Sequence, residues 1–380
     1  MISVLITIII FIAVLSLLVF FHEFGHFYSA KKLGIKADEF GIGFPPRIFA
    51  FYKSKNSKWR FVFGRKKIED NIDTVYSINA IPIGGFVKIK GEDGENRGDK
   101  DSFASQKIWK RFIVIFAGVF MNFVLAWLLL SFAFMFGMPQ AIGDNDEVPK
   151  GAIVGQSSIQ VMQVVKDSAA DEAGLKILDK VLSVNGQKLE KEADLISSIS
   201  ETSSEISMTI DRAGEIMEVK VTPSHSEELD RNVVGVAFSS TANVRFPWYL
   251  AFWEGLKISF TILYMIIVAL YEILKGLFVG QGPEVEVAGP IGIANLTGQM
   301  ANMGIVYLMQ FAALLSLNLA VINFFPFPAL DGGRFIFLLI EAIKGKPVKQ
   351  ELEGTINGIG FIALMALIVF VTVKDIIGLF

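Results

Sequence analysis

The chain has 380 residues, 52% of them hydrophobic, and a mean hydropathy of +0.52, well above that of a soluble domain of this length and the mark of a multi-span membrane protein. A formal charge of -3 gives no electrostatic footing for nucleic acid, and the absence of cysteine excludes disulfides and thiolate metal ligands. Any metal must be held by His, Asp or Glu, and the chain has only three histidines.

Apolar residues concentrate near 2–27, 112–137, 304–325 and 358–373, with a further stretch near 249–278. The first run ends in His22-Glu23-Phe24-Gly25-His26. Two histidines four apart share one helix face and can share one zinc ion, with Glu23 able to reach the water bound to that ion, the spacing of a zinc hydrolase. The same five residues on a soluble helix would be a solvated polar turn. At membrane depth, each ionisable group costs several kcal/mol unless a partner compensates it, and a metal is such a partner. No basic residue precedes the run, so it does not read as a secretory signal. Lys31, Lys32 and Lys36 follow it and hold that end in the cytoplasm, leaving the N-terminus outside.

Residues 31–111 carry 18 Lys and Arg against 10 Asp and Glu and should face the cytoplasm. Within them 40–46, 58–63, 74–78 and 81–90 read as short strands with Gly and Pro turns, forming a small sheet at the membrane surface beside the motif. Gly84-Gly85 inside the last strand marks either a simple turn or a bulge where another backbone comes close, such as an extended substrate adding itself as a strand. In the second span, Asn122 is the one strongly polar residue in the apolar run. It reads as helix-to-helix glue against the first span, and Gly118 one turn earlier permits close approach.

Residues 137–247 carry 10 Lys and Arg against 18 Asp and Glu, which suits the outside. Strand 159–165, a short helix, strand and Asn185-Gly186 turn, a helix near 192–200 and a hairpin around Ala213-Gly214 resemble a PDZ domain over about 150–225, most like the bacterial type. Such grooves take up extended chains or free C-termini. Without a Gly-Leu-Gly-Phe-like loop, a steric gate for trimmed substrates is at least as good a reading. His225 lies in a polar run and reads as a solvated loop residue.

Glu254, Lys257, Glu272 and Lys275 bracket the stretch at 249–278. If it crossed, the next span would carry Asp331 to the side opposite the histidines. The expected reading is therefore an interfacial or re-entrant helix within 248–303, giving four spans with both termini outside. The span at 304–325 runs into Asn323-Phe-Phe-Pro-Phe-Pro-Ala-Leu-Asp331-Gly-Gly-Arg334. Two prolines two apart break a helix, and in a membrane such a break is tolerated where it lines a wet cavity. Asp331 is either the N-cap of the next helix or the third ligand beside His22 and His26. Asn323 could hold a substrate carbonyl or orient Asp331.

Together these motifs resemble the site-2 protease family of intramembrane zinc metalloproteases, most closely the bacterial regulator of sigma-E protease branch. The resemblance covers His22 to His26, Ile83 to Lys88, the PDZ-like block, Gly289-Pro-Ile-Gly-Ile-Ala294 and Asn323 to Gly333. It implies one zinc ion held by His22, His26 and Asp331, Glu23 as general base, Asn323 assisting substrate binding, and the strand carrying Gly84, Gly85 and Phe86 as a substrate-aligning edge. The fold it implies is a multi-pass α-helical protein of about four spans, with a small membrane-associated β-sheet and one extracytoplasmic PDZ domain. It divides as 1–137, 138–247, 248–303 and 304–380.

The implied partners are the lipid bilayer and single-span membrane proteins, such as anti-sigma factors or remnant signal peptides. They would be cleaved after an upstream site-1-type protease, in regulated intramembrane proteolysis. The implied place is the bacterial cytoplasmic (inner) membrane with the active site toward the cytoplasm. Two departures stand out: only one PDZ copy is evident, and Val119 follows Gly118 where proline is expected. The competing reading is a catalytically silent PDZ scaffold with a structural zinc, although no structural site requires Glu23.

Overall fold

The structure is a computed structural model that describes residues 3–377 except 55, 65, 67, 70–71, 142–149, 190, 227–229 and 281–287. The chain folds as two compact units, one of residues 1–130, 255–301 and 308–380, the other of residues 131–254 and 302–307.

In the larger unit α1 (Val4–Lys32) begins at Ser3, whose side chain accepts from the Ile6 N–H, and ends with Lys31 and Lys32 in its last turn, where cations favour the helix dipole. Gly34, with φ +78°, turns the chain into the sheet. Strands β1 (Ala37–Lys53), β2 (Trp59–Phe63) and β3 (Val75–Ile89) form that sheet in the order β2-β1-β3. Both long strands bend: residues 49–52 of β1 pair with 75–78 of β3, while residues 40–42 lie beside both 76–78 and 85–87. Residues 85–87 thus form a border strand with one side turned to α1.

Helix α2 (Ile108–Phe136) runs antiparallel to α1, since His26 meets Val114 and His22 meets Asn122. The helices can come this close because Gly25 has no Cβ: one built there would stand 2.2 Å from the Ala117 carbonyl oxygen.

In the other unit, β4 (Met138–Ala141), β5 (Ile153–Val164), α3 (Ala169–Glu172), β6 (Lys180–Val184), β7 (Gln187–Lys188), α4 (Glu192–Ser200), β8 (Ile206–Arg212), β9 (Glu215–Val221), β10 (Ser224–Ser226), β11 (Arg231–Val233) and β12 (Val236–Arg245) follow one another. The main sheet has the order β4-β12-β5-β6-β8-β9, with β7 on β6. The hairpin of β8 and β9 turns at Ala213-Gly214, and α4 buries Leu195 and Ile199 in a core that includes Ile159, Val181, Met208 and Ile210. Arg212 makes a bidentate pair with the buried Asp179. His225 is exposed on β10; part of the polar run around it, 227–229, lies outside the described residues.

The remaining elements are α5 (Trp248–Val279), α6 (Pro290–Met303), α7 (Ile305–Phe324), α8 (Asp331–Lys344) and α9 (Gln350–Ile377). Here the expectation of an interfacial or re-entrant helix within 248–303 is narrowed. Helix α5 is a single unbroken helix of 32 residues, about 48 Å long, so it does not dip into the membrane and turn back within itself. Its bracketing charges lie inside it, Glu254 and Lys257 in the second and third turns and Lys275 and Glu272 in the second and third turns from its end. Among the described residues, five helices, α1, α2, α5, α7 and α9, are long and apolar enough to cross a membrane by length and composition.

The parity behind that reading nevertheless has structural counterparts. Gly298 of α6 packs on Thr7 near the start of α1, whereas Asp331, just past the end of α7, packs on the histidines near the end of α1, so α7 runs in the same direction as α1. Helix α9 runs back: Gly360 lies on Pro328, and Asp375 near its end accepts from the Gly289 and Gly292 N–H groups beside α6.

Candidate metal centre

The site lies where the ends of α1 and α7 converge. His22 and His26 are buried on one face of α1, their Nε2 atoms 3.2 Å apart. Past α7 the chain leaves the helix through Phe325 to Leu330, with Ala329 at φ +75° and its N–H donated to Asn357 of α9. Helix α8 then begins at Asp331, and its first turn folds tightly against the end of α7. A Cβ on Gly332 would stand 2.1 Å from the Phe325 carbonyl oxygen, and one on Gly333 would stand 2.4 Å from that of Phe327. The two glycines therefore allow Asp331 to return to α1.

Asp331 Oδ2 lies 3.1 Å from His22 Nε2 and 3.2 Å from His26 Nε2. The N-cap of α8 is Leu330, without a side-chain capping hydrogen bond, and Asp331 lies in the first turn of the helix instead. Its Oδ2 is buried and unpartnered.

The proton positions follow from the neighbours. His26 Nδ1 is 2.8 Å from the Val114 carbonyl oxygen, which can only accept, so the ring proton sits on Nδ1 and Nε2 bears the lone pair. His22 Nδ1 is 3.2 Å from the Asn122 amide, and the Asn122 Oδ1 is buried without a partner. Turning that amide end for end gives its oxygen the His22 Nδ1–H and leaves His22 Nε2 as a second lone pair. With both rings neutral, two imidazole lone pairs and a carboxylate oxygen face one another. Such a set is repulsive by itself and complementary to a divalent cation, and two imidazoles with one carboxylate are donors that suit zinc.

Glu23 follows His22 and accepts from the Val87 N–H on β3 through Oε2 at 3.1 Å. Asn323, at the end of α7, places its Nδ2 3.4 Å from His22 Nε2. His22, Glu23, His26, Asn323 and Asp331 are thus brought together from positions up to 309 residues apart. The strand residues have different neighbours. Gly84 adopts φ +74° and a Cβ there would meet Val19 of α1 at 3.1 Å; one on Gly85 would meet the Gly41 carbonyl oxygen of β1 at 2.8 Å. The close backbone at Gly85 is the chain's own. Phe86 covers Gly41 and stacks on Phe44. Beside them Ser16 donates to the Pro82 carbonyl, so residues 82–87 run along α1 toward Glu23.

Sequence reasoning missed the supports on α2. Asn122, read as helix glue, meets His22; Gly118 makes room for the His26 ring, whose Nε2 would lie 2.2 Å from a Cβ there. Val114 meets His26 through its backbone carbonyl, a contact with no sequence signal at all.

An apolar multi-helix chain with a His-His-Asp cluster at the meeting point of three helices defines a membrane metalloenzyme. The Peptidase family M50 profile matches residues 10–65 and 62–367. The chain belongs to this family, the site-2 proteases, and is a zinc metalloprotease. It is 30% identical to the regulator of sigma-W protease RasP of Bacillus subtilis over 98% of this chain and 99% of that protein. To a putative zinc metalloprotease of Fusobacterium nucleatum it is 31% identical, over 98% and 99%. Among solved structures it is similar to the PDZ domain of an SdrC-like protein of Listeria monocytogenes, at 13% identity and TM-score 0.20, over 24% of this chain and 93% of that one.

Proposed function

We propose that the protein cleaves single-span membrane proteins within or beside their spans, using one zinc ion held by His22, His26 and Asp331. The observation that carries this reading is the convergence of three donor atoms, two imidazole nitrogens and a carboxylate oxygen, within 3.2 Å of one another. Zinc in such a set supplies Lewis acidity, polarising a carbonyl and bringing the pKa of water to about 7.

The chain's own residues do the rest. The Val87 N–H holds Glu23 through Oε2, leaving Oε1 to take the proton as general base and return it to the leaving amine. The Asn323 amide N–H points into the same small volume and is suited to holding the scissile carbonyl. A helical substrate protects its own amides and must be extended before cleavage. The border strand at Gly84, Gly85 and Phe86 ends at Glu23, so a substrate strand laid along it would arrive extended at the base.

The sheet unit of residues 131–254 is read as a PDZ domain that checks for prior trimming by an upstream protease. The basic excess of residues 31–111 and the acidic excess of residues 137–247 support a topology with that unit and both termini outside the bacterial cytoplasmic membrane and the metal site toward the cytoplasm. Clients would be anti-sigma factors, as the name of the sigma-W relative suggests, or remnant signal peptides.

Purified protein in detergent with a generic single-span substrate tests the reading. Wild type should cleave; Glu23→Gln should bind zinc yet not cleave, and chelation should stop the wild type. Cleavage by Glu23→Gln would remove Glu23 as base. Zinc binding without any cleavage across a panel of single-span substrates would favour the scaffold.

A further inference from the structure

One face of α2 carries Arg111, Val114, Gly118 and Asn122, at i, i+3, i+7 and i+11. The last three support the histidines. Arg111 reaches instead to α8, where its Nη2 donates to Glu341 Oε1 at 2.5 Å, with both side chains mostly buried. Glu341 lies ten residues beyond Asp331 on the same helix. A second pair stands nearer: Arg334, three residues after Asp331, donates to Glu92. Glu92 follows by five residues the Val87 whose N–H holds Glu23. Helix α8 is therefore tied at two points, once to the helix that orients both histidines and once to the segment continuing from the strand that orients Glu23.

Stability is a poor reason for this arrangement. Burying two charges costs about as much as their attraction returns, and apolar side chains would hold the helices together at least as well. The Arg111 Nε is moreover buried without an acceptor. Directional pairs do supply register: they fix the rotation and depth of α8, to which Asp331 is rigidly attached through Gly332 and Gly333. Sub-ångström placement of a ligand matters because donor distances must fall within about 0.2 Å of ideal.

Resting on the metal reading above, we propose that Arg111–Glu341 and Arg334–Glu92 are positioning pairs. They hold Asp331 Oδ2 in line with the two histidine Nε2 atoms and so set metal affinity and turnover.

The experiment uses the full chain in detergent and reads zinc affinity by competition with a chromophoric chelator, thermal midpoint, and kcat and KM separately. Glu341→Gln should weaken zinc binding by about 10- to 100-fold and lower kcat at saturating zinc, with KM unchanged. The double variant Arg111→Met with Glu341→Met removes both charges; it should restore the thermal midpoint while keeping the zinc and kcat defects. If it restores zinc affinity as well, or if Glu341→Gln lowers only the midpoint, the pairs are merely structural and the proposal fails. Should Glu341→Gln not fold, Arg111→Lys keeps the charge without the fork geometry, and the same readouts decide. His22→Ala separates the two levels: if it leaves wild-type zinc binding untouched, the metal reading itself is wrong; if it abolishes binding that Glu341→Gln leaves intact, only the positioning role is lost.

Discussion

Replacing Gly118 by alanine adds one methyl group on the face of α2 that receives His26. The new Cβ would lie 2.2 Å from His26 Nε2 and 2.6 Å from Cε1. Ordinary contact needs about 3.4 Å or more, so the ring must withdraw by roughly 1 Å or the helices must part. The ring cannot swing away freely, because its Nδ1–H is held by the Val114 carbonyl at 2.8 Å. The helices cannot part without losing the Gly25–Ala117 approach one residue away. Overpacking of this kind costs about 1–3 kcal/mol of stability. A ligand shift of about 1 Å is several times the tolerance of a zinc bond, and an error of that size in a catalytic group costs about 100-fold in rate. Gly118→Ala should therefore fold with a modestly lowered thermal midpoint, bind zinc at least ten times more weakly in chelator competition, and cleave about 100-fold more slowly. Wild-type zinc affinity and turnover in a folded Gly118→Ala protein would refute the placement of His26 against α2.

Asn122→Ala should weaken zinc binding by about 10- to 100-fold by freeing the His22 ring, while Asn122→Asp, which keeps an oxygen acceptor, should retain most of it; equal affinity in Asn122→Ala and wild type would exclude the amide as a support. In the clip at residues 90–101, hydrogen bonding to the Lys90 ammonium holds the Asp101 carboxyl below its ordinary pKa, and hydrogen bonds to Asp101 and then Asp99 raise the Lys90 ammonium. The depressed carboxyl stabilises above its unfolded value near 3.9 and loses the effect as pH falls; the raised ammonium stabilises below its unfolded value near 10.4 and loses the effect as pH rises. Exchange of the Phe103 amide, which donates to the Lys90 carbonyl, should thus be protected most strongly between those limits once intrinsic rates are divided out, and a flat protection profile would count against the clip. Because the chain has no cysteine, Asn96→Cys and Glu215→Cys are single reporters: an impermeant maleimide should label the second on intact cells and the first only after permeabilisation, and the reverse would invert the orientation.

The candidate ligands were legible because each carries a local signature. His22 and His26 share a helix face through their spacing alone, and Asp331 stands after a double-proline break that has to line a cavity. What the sequence left open at these positions was packing. It gave Asp331 a capping alternative, which falls because Leu330 occupies the cap and the carboxylate turns to α1 instead. Gly84 and Gly85 were legible as special backbone but not as to what approaches them. Val19 and the Gly41 carbonyl do so, because β1 and β3 fold back on themselves, a long-range register that no local pattern encodes. The stretch at 249–278 was read from parity, by the side of the membrane on which Asp331 must arrive, and such counting says nothing of helix continuity; the structure adds that its four charged residues sit within one unbroken helix.

The supports of the site are hidden more deeply. Gly118 and Asn122 have ordinary uses in a membrane helix, and only the antiparallel packing of α2 on α1 brings them onto the histidines. Arg111 and Glu341 are 230 residues apart and each reads as an unremarkable charge near a helix end. Yet the stripe Arg111, Val114, Gly118 and Asn122 is regular at helical spacing, so α2 acts as one rigid template. It turns both imidazoles so that their lone pairs converge, and through Arg111 it reaches the helix that supplies the carboxylate. A metal site assembled from α1 and α8 alone would have no common frame. Perturbations along this stripe should therefore converge on zinc affinity, although they touch different ligands and lie up to eleven positions apart on α2.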